Sequence, residues 1–371
     1  MRKSKIRVLS LSLLLACAGN ACASPMPPFR AGATAHGKLS KTGEHWVLEI
    51  DGSPEERGKA AGTLLGEQIR WLLSAYLKAI ASTDRLSPSQ KEMVAAIADE
   101  VPAPYFAELN ALADSAKVDR TTLFAANLAP EVLPSLACSC LATAPERSTD
   151  GRVRLARNLD WPGGEVLAGA ALIIIESGGA HRFANFGWPG LLSVATGMND
   201  AGVAVADLMA LGTGGGRPKP GIPVLFAVRS MLEQAGSVDD AIAWLKTARR
   251  TIPQNYALAD PRGARVVETG SNHFRVREAT DGIAVITNYW REEQGGAKDR
   301  RYAGMLRSAG NKKLGIAELE GILAESALDH GMNVQAVVLE PDTRKVHIAR
   351  GKPPIARGTW QSLDLSRWLA K

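Results

Sequence analysis

Two cysteines stand two residues apart in the segment LACSCLATAPERSTDGRVRLARNLDW, which spans residues 136–161. A cysteine at the start of a β-strand can attack the carbonyl carbon of the residue before it, and water can then hydrolyse the resulting ester-like link. For Cys138 this reaction would cut the chain after Ala137 and leave Cys138 with a free α-amino group. Because such an amine has a pKa of about 8, it can act as the general base for the adjacent thiol, and no histidine is needed.

A catalytic thiol of this kind requires a cation that favours the thiolate, an acidic group that holds the amine, and amide donors for the oxyanion. A hairpin that closes near Asp150 and Gly151 would pair RVRLARNLDW with the cysteine segment and bring Arg157 and Asp160 alongside Cys138. The spacing permits this chemistry but does not establish it, because Arg157 and Asp160 would form an exposed ion pair in most proteins.

Composition alone leaves other roles for the two cysteines open. They could form a buried structural thiol pair or a strained local disulfide, which would close too short a loop to add much stability. A zinc site is disfavoured, because the chain offers six scattered histidines without a C-x-x-C or H-x-x-x-H partner motif. A papain-like thiol hydrolase would instead pair the cysteine with one of four histidines: His181, His273, His330 and His347.

The first 23 residues have the features of a signal peptide. Four basic residues precede the apolar run VLSLSLLLACAG, which is too short to span a bilayer as a mature helix. The segment ACA at residues 21–23 resembles a cleavage site. The sequence therefore predicts an exported protein, either periplasmic or secreted. The alternative is a lipoprotein signal that ends at Cys17, which would anchor the protein to a membrane through a lipid.

The charge of the chain gives no support for a nucleic-acid partner. The formal net charge is +6, and it falls to +2 without the four basic residues of the predicted signal peptide. A nucleic-acid interface needs a dense basic face, so no such partner is expected. The Gly-rich segment GTGGGRPKPG lacks the strand and the G-K-[ST] helix start of a phosphate-binding loop, and no cofactor is expected.

Two strand-rich blocks, separated by helices, follow a mostly helical N-terminal region. Residues 24–44 are rich in Pro, Gly and Ser and are predicted to be a flexible leader before the strand HWVLEI. Ser53 and Glu56 form a capping box at the start of a long amphipathic helix, and residues 53–127 are predicted to be mostly helical. From residue 138 onward, short β-rich runs surround a helix pair that begins near IPVLFAVRSMLEQA. This order predicts an α+β fold of two stacked antiparallel sheets covered by helices.

The cysteine segment resembles the nucleophile region of the N-terminal-nucleophile (Ntn) amide hydrolases, which include penicillin acyltransferase, choloylglycine (bile salt) hydrolase and the ceramide and N-acylethanolamine hydrolases. The pattern of that family is Cys-[Thr/Ser]-small, a turn glycine and [Gly/Ala]-Arg-Asn-x-Asp, and CSCLA, Gly151 and ARNLDW match it in order. Further segments match in family order over most of residues 45–355: YFAELNALADSAKVDRTTLFAAN, GMNDAGVAV, NYALADPRGARVVE, ITNYW and LEPDTRKVHIARG. The resemblance implies a four-layer αββα sandwich with a helical N-terminal propeptide.

The resemblance also implies roles for single residues. It implies that Cys138 is the nucleophile, that Arg157 lies beside its sulfur and that Asp160 binds the new α-amine. The sequence departs from the family pattern in two places. Cys140 stands where a serine or threonine is usual, and Ala137 replaces the common glycine before the cleavage point.

Three more site residues are implied by the later motifs. Asn199 in GMN and Asn288 in ITN match asparagines that line the oxyanion region and the substrate amide. Arg301 matches a further site arginine, and it is preferred to Arg300 because it directly precedes the aromatic Tyr302. On spacing alone, both asparagines could equally be turn residues.

Together these features predict an exported, self-processing cysteine hydrolase that cleaves a linear C–N amide bond of an N-acylated small molecule through a thioester on Cys138. Residues 24–137 would form the leader and a helical propeptide that stays bound after cleavage, and residues 138–371 would form the catalytic chain. Because acyl-CoA is a cytoplasmic donor, hydrolysis is favoured over acyl transfer for an exported enzyme. The alternatives are an acyltransferase, or an uncleaved and inactive surface lipoprotein with the same fold that acts as a binding or scaffold module. Neither a metal nor a cofactor is expected, and membrane contact is expected only if Cys17 carries a lipid.

Overall fold

The computed structural model describes residues 25–81, 86–132, 137–211, 219–270, 272–291, 299–329 and 331–370. The predicted signal peptide with Cys17, the residue His330 and most of GTGGGRPKPG lie outside these ranges. Among the described helices, none combines the length and the apolar character that a membrane crossing requires.

Ten strands form the larger sheet. Numbered in chain order and given in spatial order, they are β1 (Gly32–Thr34), β2 (Gly37–Thr42), β3 (His45–Ile50), β6 (Leu172–Ser177), β7 (Arg182–Gly187), β8 (Thr196–Asn199), β9 (Ala204–Met209), β10 (Gln254–Asp260), β11 (Gly263–Thr269) and β12 (Phe274–Glu278). Neighbouring strands run antiparallel, except that β3 and β6 pair in parallel. The prediction of two antiparallel sheets is therefore confirmed apart from this one pairing.

Six antiparallel strands form the second sheet, which carries the cysteine segment. In spatial order they are β13 (Ile283–Ile286), β4 (Ala137–Thr143), β5 (Arg154–Asp160), β14 (Asn333–Glu340), β15 (Lys345–Arg350) and β16 (Thr359–Asp364). The β4–β5 pair confirms the predicted hairpin, and Gly151 in its connection has a φ of 76°, which favours glycine.

The N-terminal region contains five helices: α1 (Pro54–Ala81), α2 (Pro88–Ala98), α3 (Ala103–Ala116), α4 (Arg120–Asn127) and α5 (Ala129–Val132). The predicted capping box starts α1, because the amide of Ser53 donates to Glu56 Oε2 at 2.7 Å and the amide of Glu56 donates to Ser53 Oγ at 3.3 Å. The apolar face of α1 packs on α3 and on β2, β3 and β6 of the larger sheet.

Further helices pack on the outer faces of the two sheets or at the core between them. They are α6 (Gly164–Ala170), α7 (Val224–Gln234), α8 (Val238–Thr247), α9 (Arg300–Ala309), α10 (Ile316–Ser326) and α11 (Ser366–Leu369). Helices α7 and α8 pack on the larger sheet, and α9 and α10 pack on the smaller one. Along β6, Ile173 and Ile175 face the core between the sheets, whereas Leu172 and Ile174 face the helices. The result is the four-layer αββα arrangement.

Part of the predicted flexible leader is ordered in the larger sheet. Residues 32–34 and 37–42 form β1 and β2, and Leu39 is only 1% exposed against α1. The prediction of a flexible leader is wrong for these residues. The Gly and Ser content conceals an alternating strand in which Leu39 is the single large apolar side chain that points to the core.

Two glycines of α1 differ in how closely helix α3 approaches them. A Cβ atom at Gly58 would lie 2.1 Å from the backbone oxygen of Glu108, whereas a Cβ atom at Gly66 would lie 3.3 Å from the end of the Arg70 side chain and 3.5 Å from the Cα atom of Ala116, which is ordinary van der Waals contact. We expect Gly58→Ala to lower the free energy of unfolding by about 1–3 kcal/mol, because backbone atoms must move apart. Gly66→Ala is expected to change it by about 1 kcal/mol or less, in the stabilising direction, because alanine favours a helix. Urea unfolding of both variants measures the difference, and an equal effect would contradict close α1–α3 packing.

Candidate active site

Cys138 lies on β4, on the face of the smaller sheet that looks into the core between the sheets. Cys140 and Ala142 belong to the same core, whereas Leu141 faces the outer helices, as the two-residue period of a strand requires. Both cysteines are free thiols, and Cys138 is only 1% exposed. The local disulfide that the spacing left open is therefore not formed.

A buried guanidinium contacts the thiol. Arg157 lies opposite Cys140 in the β4–β5 ladder, and its Nη2 donates to Cys138 Sγ at 3.3 Å. Its Nη1 donates to the carbonyl oxygen of Ala195 at 2.6 Å and to Thr196 Oγ1 at 2.8 Å, and these two bonds fix the guanidinium plane. A positive charge held this close to sulfur favours the thiolate over the thiol.

Burial has a larger effect on the thiol than any neighbouring charge. It raises the pKa of Cys138 to about 11 against the lowering effect of Arg157, and the carboxylates of Asp207 and Asp160 raise the pKa further. Burial also raises the pKa of Cys140. In the uncut chain both thiols are neutral at physiological pH, so the thiolate forms only when a base is present or burial is lost.

Asn288 holds the backbone of the nucleophile. Its Oδ1 accepts the amide N–H of Cys138 at 2.7 Å, and its Nδ2 donates to the carbonyl oxygen of Met209 at 2.9 Å. Asn288 comes two residues after β13, the strand that pairs with β4. The amide nitrogen of Cys138 is the atom that cleavage would convert to an amine, and Asn288 is its direct hydrogen-bond partner.

Asp160 and Arg301 form a second polar group on the opposite face of the hairpin. Asp160 lies opposite Ala137 in the ladder, and its carboxylate pairs with Arg301 Nη2. Asn333 Nδ2 donates to the other carboxylate oxygen at 2.9 Å. Arg301 also donates to Ser139 Oγ at 3.1 Å, and Ser139 directly follows the nucleophile. This group therefore fixes the outer side of the strand that carries Cys138.

In the uncut chain Asp160 is not the partner of the Cys138 amide, which donates to Asn288 instead. The carboxylate is already paired with Arg301. Arg300, the neighbouring arginine, is exposed, whereas Arg301 reaches the hairpin.

Asn199 lies apart from the other five predicted residues. Its Nδ2 donates to the carbonyl oxygens of Leu232 and Ala235 at 3.0 and 2.8 Å, and its Oδ1 accepts the amide N–H of Val203 at 2.8 Å. Met198 faces the core between the sheets, so the alternation along β8 turns Asn199 toward the end of helix α7. The expectation that Asn199 lines the oxyanion region is corrected accordingly, since its contacts are those of a turn residue.

Two buried polar residues beside Arg157 belong to no sequence motif. Asp207 on β9 has its Oδ1 3.6 Å from Arg157 Nη2, and Gln254 on β10 donates to Asp207 Oδ2 at 2.6 Å. Both side chains are buried. One feature of the sequence could have indicated Asp207: it is the single carboxylate in the otherwise apolar run GVAVADLMA. A charge buried in such a run requires a partner.

Aromatic side chains from before and after residue 138 pack in the same core as the nucleophile. Trp161 packs in a tilted arrangement on Trp188, with ring centroids 6.0 Å apart. Its Nε1 donates to the hydroxyl of Tyr76 on α1. All three belong to the same core cluster as Cys138, so helix α1 contributes to the apolar surroundings of the thiol.

The hydrogen-bond partner of the Cys138 thiol is a guanidinium and not an imidazole. His181 Nδ1 pairs with Asp200 at 2.5 Å and His347 Nε2 pairs with Glu340 at 3.1 Å. Within the part of the chain that the structure describes, no three His, Cys, Asp or Glu side chains are grouped to hold a metal ion. These contacts do not favour the papain-like alternative.

Residues 147–304 match the family model of the acyl-coenzyme A:6-aminopenicillanic acid acyl-transferases. This segment, which is less than half of the 371 residues, is similar to that acyl-transferase family. The matched segment contains Arg157, Asp160, Asn288 and Arg301, and it begins nine residues after Cys138. The resemblance to penicillin acyltransferase drawn from the sequence is confirmed over this segment.

Curated relatives match about three fifths of the chain. An uncharacterized protein of Archaeoglobus fulgidus is 25% identical over 272 residues, which are 62% of this chain and 45% of that protein. The proteins dcd1B and dcd1A of Dictyostelium discoideum are 26% and 24% identical, over 60% of this chain in each case and over 50% and 58% of their own lengths. The chain thus spans about half the length of the curated relatives that it matches.

Two of the solved structures that are similar to the chain each cover about three fifths of it. One is a Caenorhabditis elegans ortholog of N-acylethanolamine-hydrolyzing acid amidase, with a TM-score of 0.47 and 16% identity, covering 61% of this chain and 100% of that chain. The other is a mutant of the conjugated bile acid hydrolase from Clostridium perfringens, with a TM-score of 0.45 and 12% identity, covering 62% of this chain and 93% of that chain.

Proposed function

We propose that the protein is an exported Ntn hydrolase that cuts its own chain before Cys138 and then hydrolyses the linear amide bond of an N-acylated small molecule. The observation that supports this most is the pair of contacts at one residue. Arg157 donates to the sulfur of Cys138, and Asn288 accepts from its amide nitrogen, so the two atoms of Cys138 that change bonding in self-cleavage are both held. The acyl-transferase family match over the adjoining segment supports the same chemistry.

Self-cleavage needs only groups of the chain and one water molecule. The sulfur of Cys138 attacks the carbonyl carbon of Ala137, and the carbon–nitrogen bond breaks as the nitrogen takes up the thiol proton, which leaves a thioester and a free amine. Water then cleaves the thioester, which restores the thiol and leaves a carboxylate on Ala137. Arg157 stabilises negative charge on sulfur, and Asn288 keeps its hydrogen bond to the nitrogen throughout.

Substrate hydrolysis repeats the same bond changes with an external amide. The new α-amine takes the proton of the Cys138 thiol, and the thiolate attacks the acyl carbonyl carbon of the substrate. The protonated amine then gives its proton to the leaving nitrogen, and a thioester forms on Cys138. Water cleaves this thioester and releases the acid. Asp160 lies opposite Ala137 at the end of the same hairpin, and we propose that it holds the amine once cleavage frees it.

The N-terminal segment has contacts that would keep it attached after the cut. Arg57 on α1 donates to Glu108 on α3 at 2.9 Å, and Glu108 accepts from Arg229 on α7 at 2.7 Å. Tyr105 on α3 donates to Glu233 on α7 at 2.5 Å. These side chains are all buried. One charged cluster thus joins helices α1 and α3, which precede residue 138, to helix α7, which follows it. Residues 24–137 are therefore proposed to remain bound as a partner chain.

Acyl transfer is the second candidate function, and the family match is the observation that favours it. In that reaction an acceptor amine instead of water would cleave the thioester on Cys138. Hydrolysis stays the primary proposal because the predicted signal peptide at residues 1–23 would take the protein away from cytoplasmic acyl-CoA. The same segment underlies the proposed periplasmic or secreted location, with a lipid anchor at Cys17 as the alternative.

Intact-mass measurement and N-terminal sequencing of the purified wild-type protein test the proposal. We expect two chains, one of which begins at Cys138. The processed protein should then release free amine from at least one member of a panel of N-acyl amino acids, N-acylated amino lactones, penicillins and bile conjugates, and a trapped acyl group should add its mass to the Cys138 peptide. A single uncut chain after long incubation under reducing conditions would favour the inactive binding module.

A further inference from the structure

Asp207 is a buried carboxylate that shares a cation with the nucleophile. Its Oδ1 lies 3.6 Å from Arg157 Nη2, and the same nitrogen lies 3.3 Å from Cys138 Sγ. Its Oδ2 accepts from Gln254 Nε2 at 2.6 Å, and Asp207 is only 3% exposed. One guanidinium nitrogen thus stands between the sulfur and a carboxylate oxygen.

The charge around Arg157 depends on which of these groups is ionised. With the Cys138 thiol neutral, Asp207 is the counter-ion of the buried guanidinium, which would otherwise stand unpaired at a high cost. With the thiolate formed, two anions compete for one cation. Each anion therefore makes the other less favourable, because like charges at this separation repel strongly in a buried site.

We infer that Asp207 is a positioning residue that holds Arg157 for the nucleophile and that its loss of charge is linked to formation of the Cys138 thiolate. The inference rests on the proposed function for its catalytic meaning, but the linkage itself concerns only the protonation of two groups. When the thiolate forms, its proton leaves to the amine base or to water. When Asp207 becomes neutral, its proton comes from water. The thiolate then no longer shares the Arg157 guanidinium with a second anion.

The other titratable groups near Asp207 in the described part of the chain do not supply a second cation. Tyr256 lies opposite Asp207 in the β9–β10 ladder, and burial raises its pKa, so it is neutral. Cys140 is neutral for the same reason. Glu131, which is bound by Thr251 and by the start of α7, adds only negative charge.

The direction of the linkage follows from these contacts. Burial raises the pKa of Asp207 to about 6, and Arg157 and Gln254 act against this rise. Above that pH Asp207 is ionised and raises the pKa of the Cys138 thiol. Removal of the charge at this position must therefore lower the pH at which the thiolate forms.

The ¹³Cβ chemical shift of labelled Cys138, followed against pH, measures this midpoint directly and needs neither self-cleavage nor a substrate. A Cys140→Ala background removes the neighbouring thiol signal, and a Cys138→Ala sample identifies any signal from Cys17 or Cys22. We expect Asp207→Asn to lower the midpoint by about one pH unit or more, which is a tenfold larger thiolate fraction at a pH below both midpoints. An unchanged or higher midpoint would overturn the linkage.

Asp207→Ser provides a second variant in case Asp207→Asn does not fold. It also removes the carboxylate beside Arg157, so the Cys138 midpoint should move down in the same direction. An upward shift or no shift in this variant would also contradict the inference. A lowered midpoint in a protein that never cuts itself would support the linkage and refute the proposed enzyme, and normal processing with no shift would do the reverse.

Discussion

Cys138→Ala is expected to give one uncut chain without detectable amide hydrolysis, whereas Cys140→Ala is expected to be cut as the wild type is. The nucleophile forms the covalent intermediate of both reactions, so no other group can replace it, and activity should fall by at least about 10⁴-fold. Intact mass, N-terminal sequencing and amine release from the wild-type substrate measure the two effects.

Cys140 is a close control for this test. It lies on the same strand and the same face as Cys138, and it is equally buried. Its replacement by alanine also removes one thiol from the same core. The Arg157 guanidinium, however, donates to the sulfur of Cys138. A cut between Ala137 and Cys138 in both variants would mean that another group or a contaminating protease cleaves the chain.

Arg229→Met is expected to cost about 3–5 kcal/mol of folding free energy, which is a large part of the stability of most domains. Arg229 donates to Glu108 at 2.7 Å and to Glu233 at 2.9 Å, and it lies 2.7 Å from Glu176, with all four side chains buried. Without the guanidinium, three buried carboxylates would share Arg57 as their remaining cation in this cluster. Urea unfolding measures the loss, and gel filtration of the processed protein measures whether the two chains separate.

Arg120→Met is the matched control, since it removes the same guanidinium from an exposed pair. Arg120 donates to Asp114 at 2.8 Å, but both side chains are more than half exposed. The expected cost is about 1 kcal/mol or less, because water screens such a pair. Equal losses in the two variants would show that the buried cluster contributes no more than a surface ion pair.

The sequence predicts the local part of the site well and the long-range part poorly. Arg157 and Asp160 lie within about one hairpin of Cys138, so a turn signal at Gly151 and strand alternation are enough to place them. The contact from Asn288 to the Cys138 amide joins residues 150 positions apart, and only the family resemblance points to it.

The family resemblance implies a site role for the asparagine of GMN without regard to its strand face. Alternation places Met198, and not Asn199, toward the core between the sheets, and the turn role that the spacing left open fits the contacts of Asn199. Asp207 has no motif at all, and its role depends on Arg157, which reaches it from the other sheet. The parallel pairing of β3 with β6 is similarly invisible in sequence, because the two strands are separated by the whole helical region.

That parallel pairing determines what a cut at residue 138 could release. Strand β3 is bonded to β6 on one side and to β2 on the other, so three strands of the ten-stranded sheet would come from one chain and seven from the other. Departure of the N-terminal chain would open an apolar edge along β6, whose run LIIIES is buried on both faces. Such an edge would recruit other strands and aggregate. We therefore expect the two chains to stay together when the protein is diluted. Two halves produced separately should regain a native sheet only if they fold together.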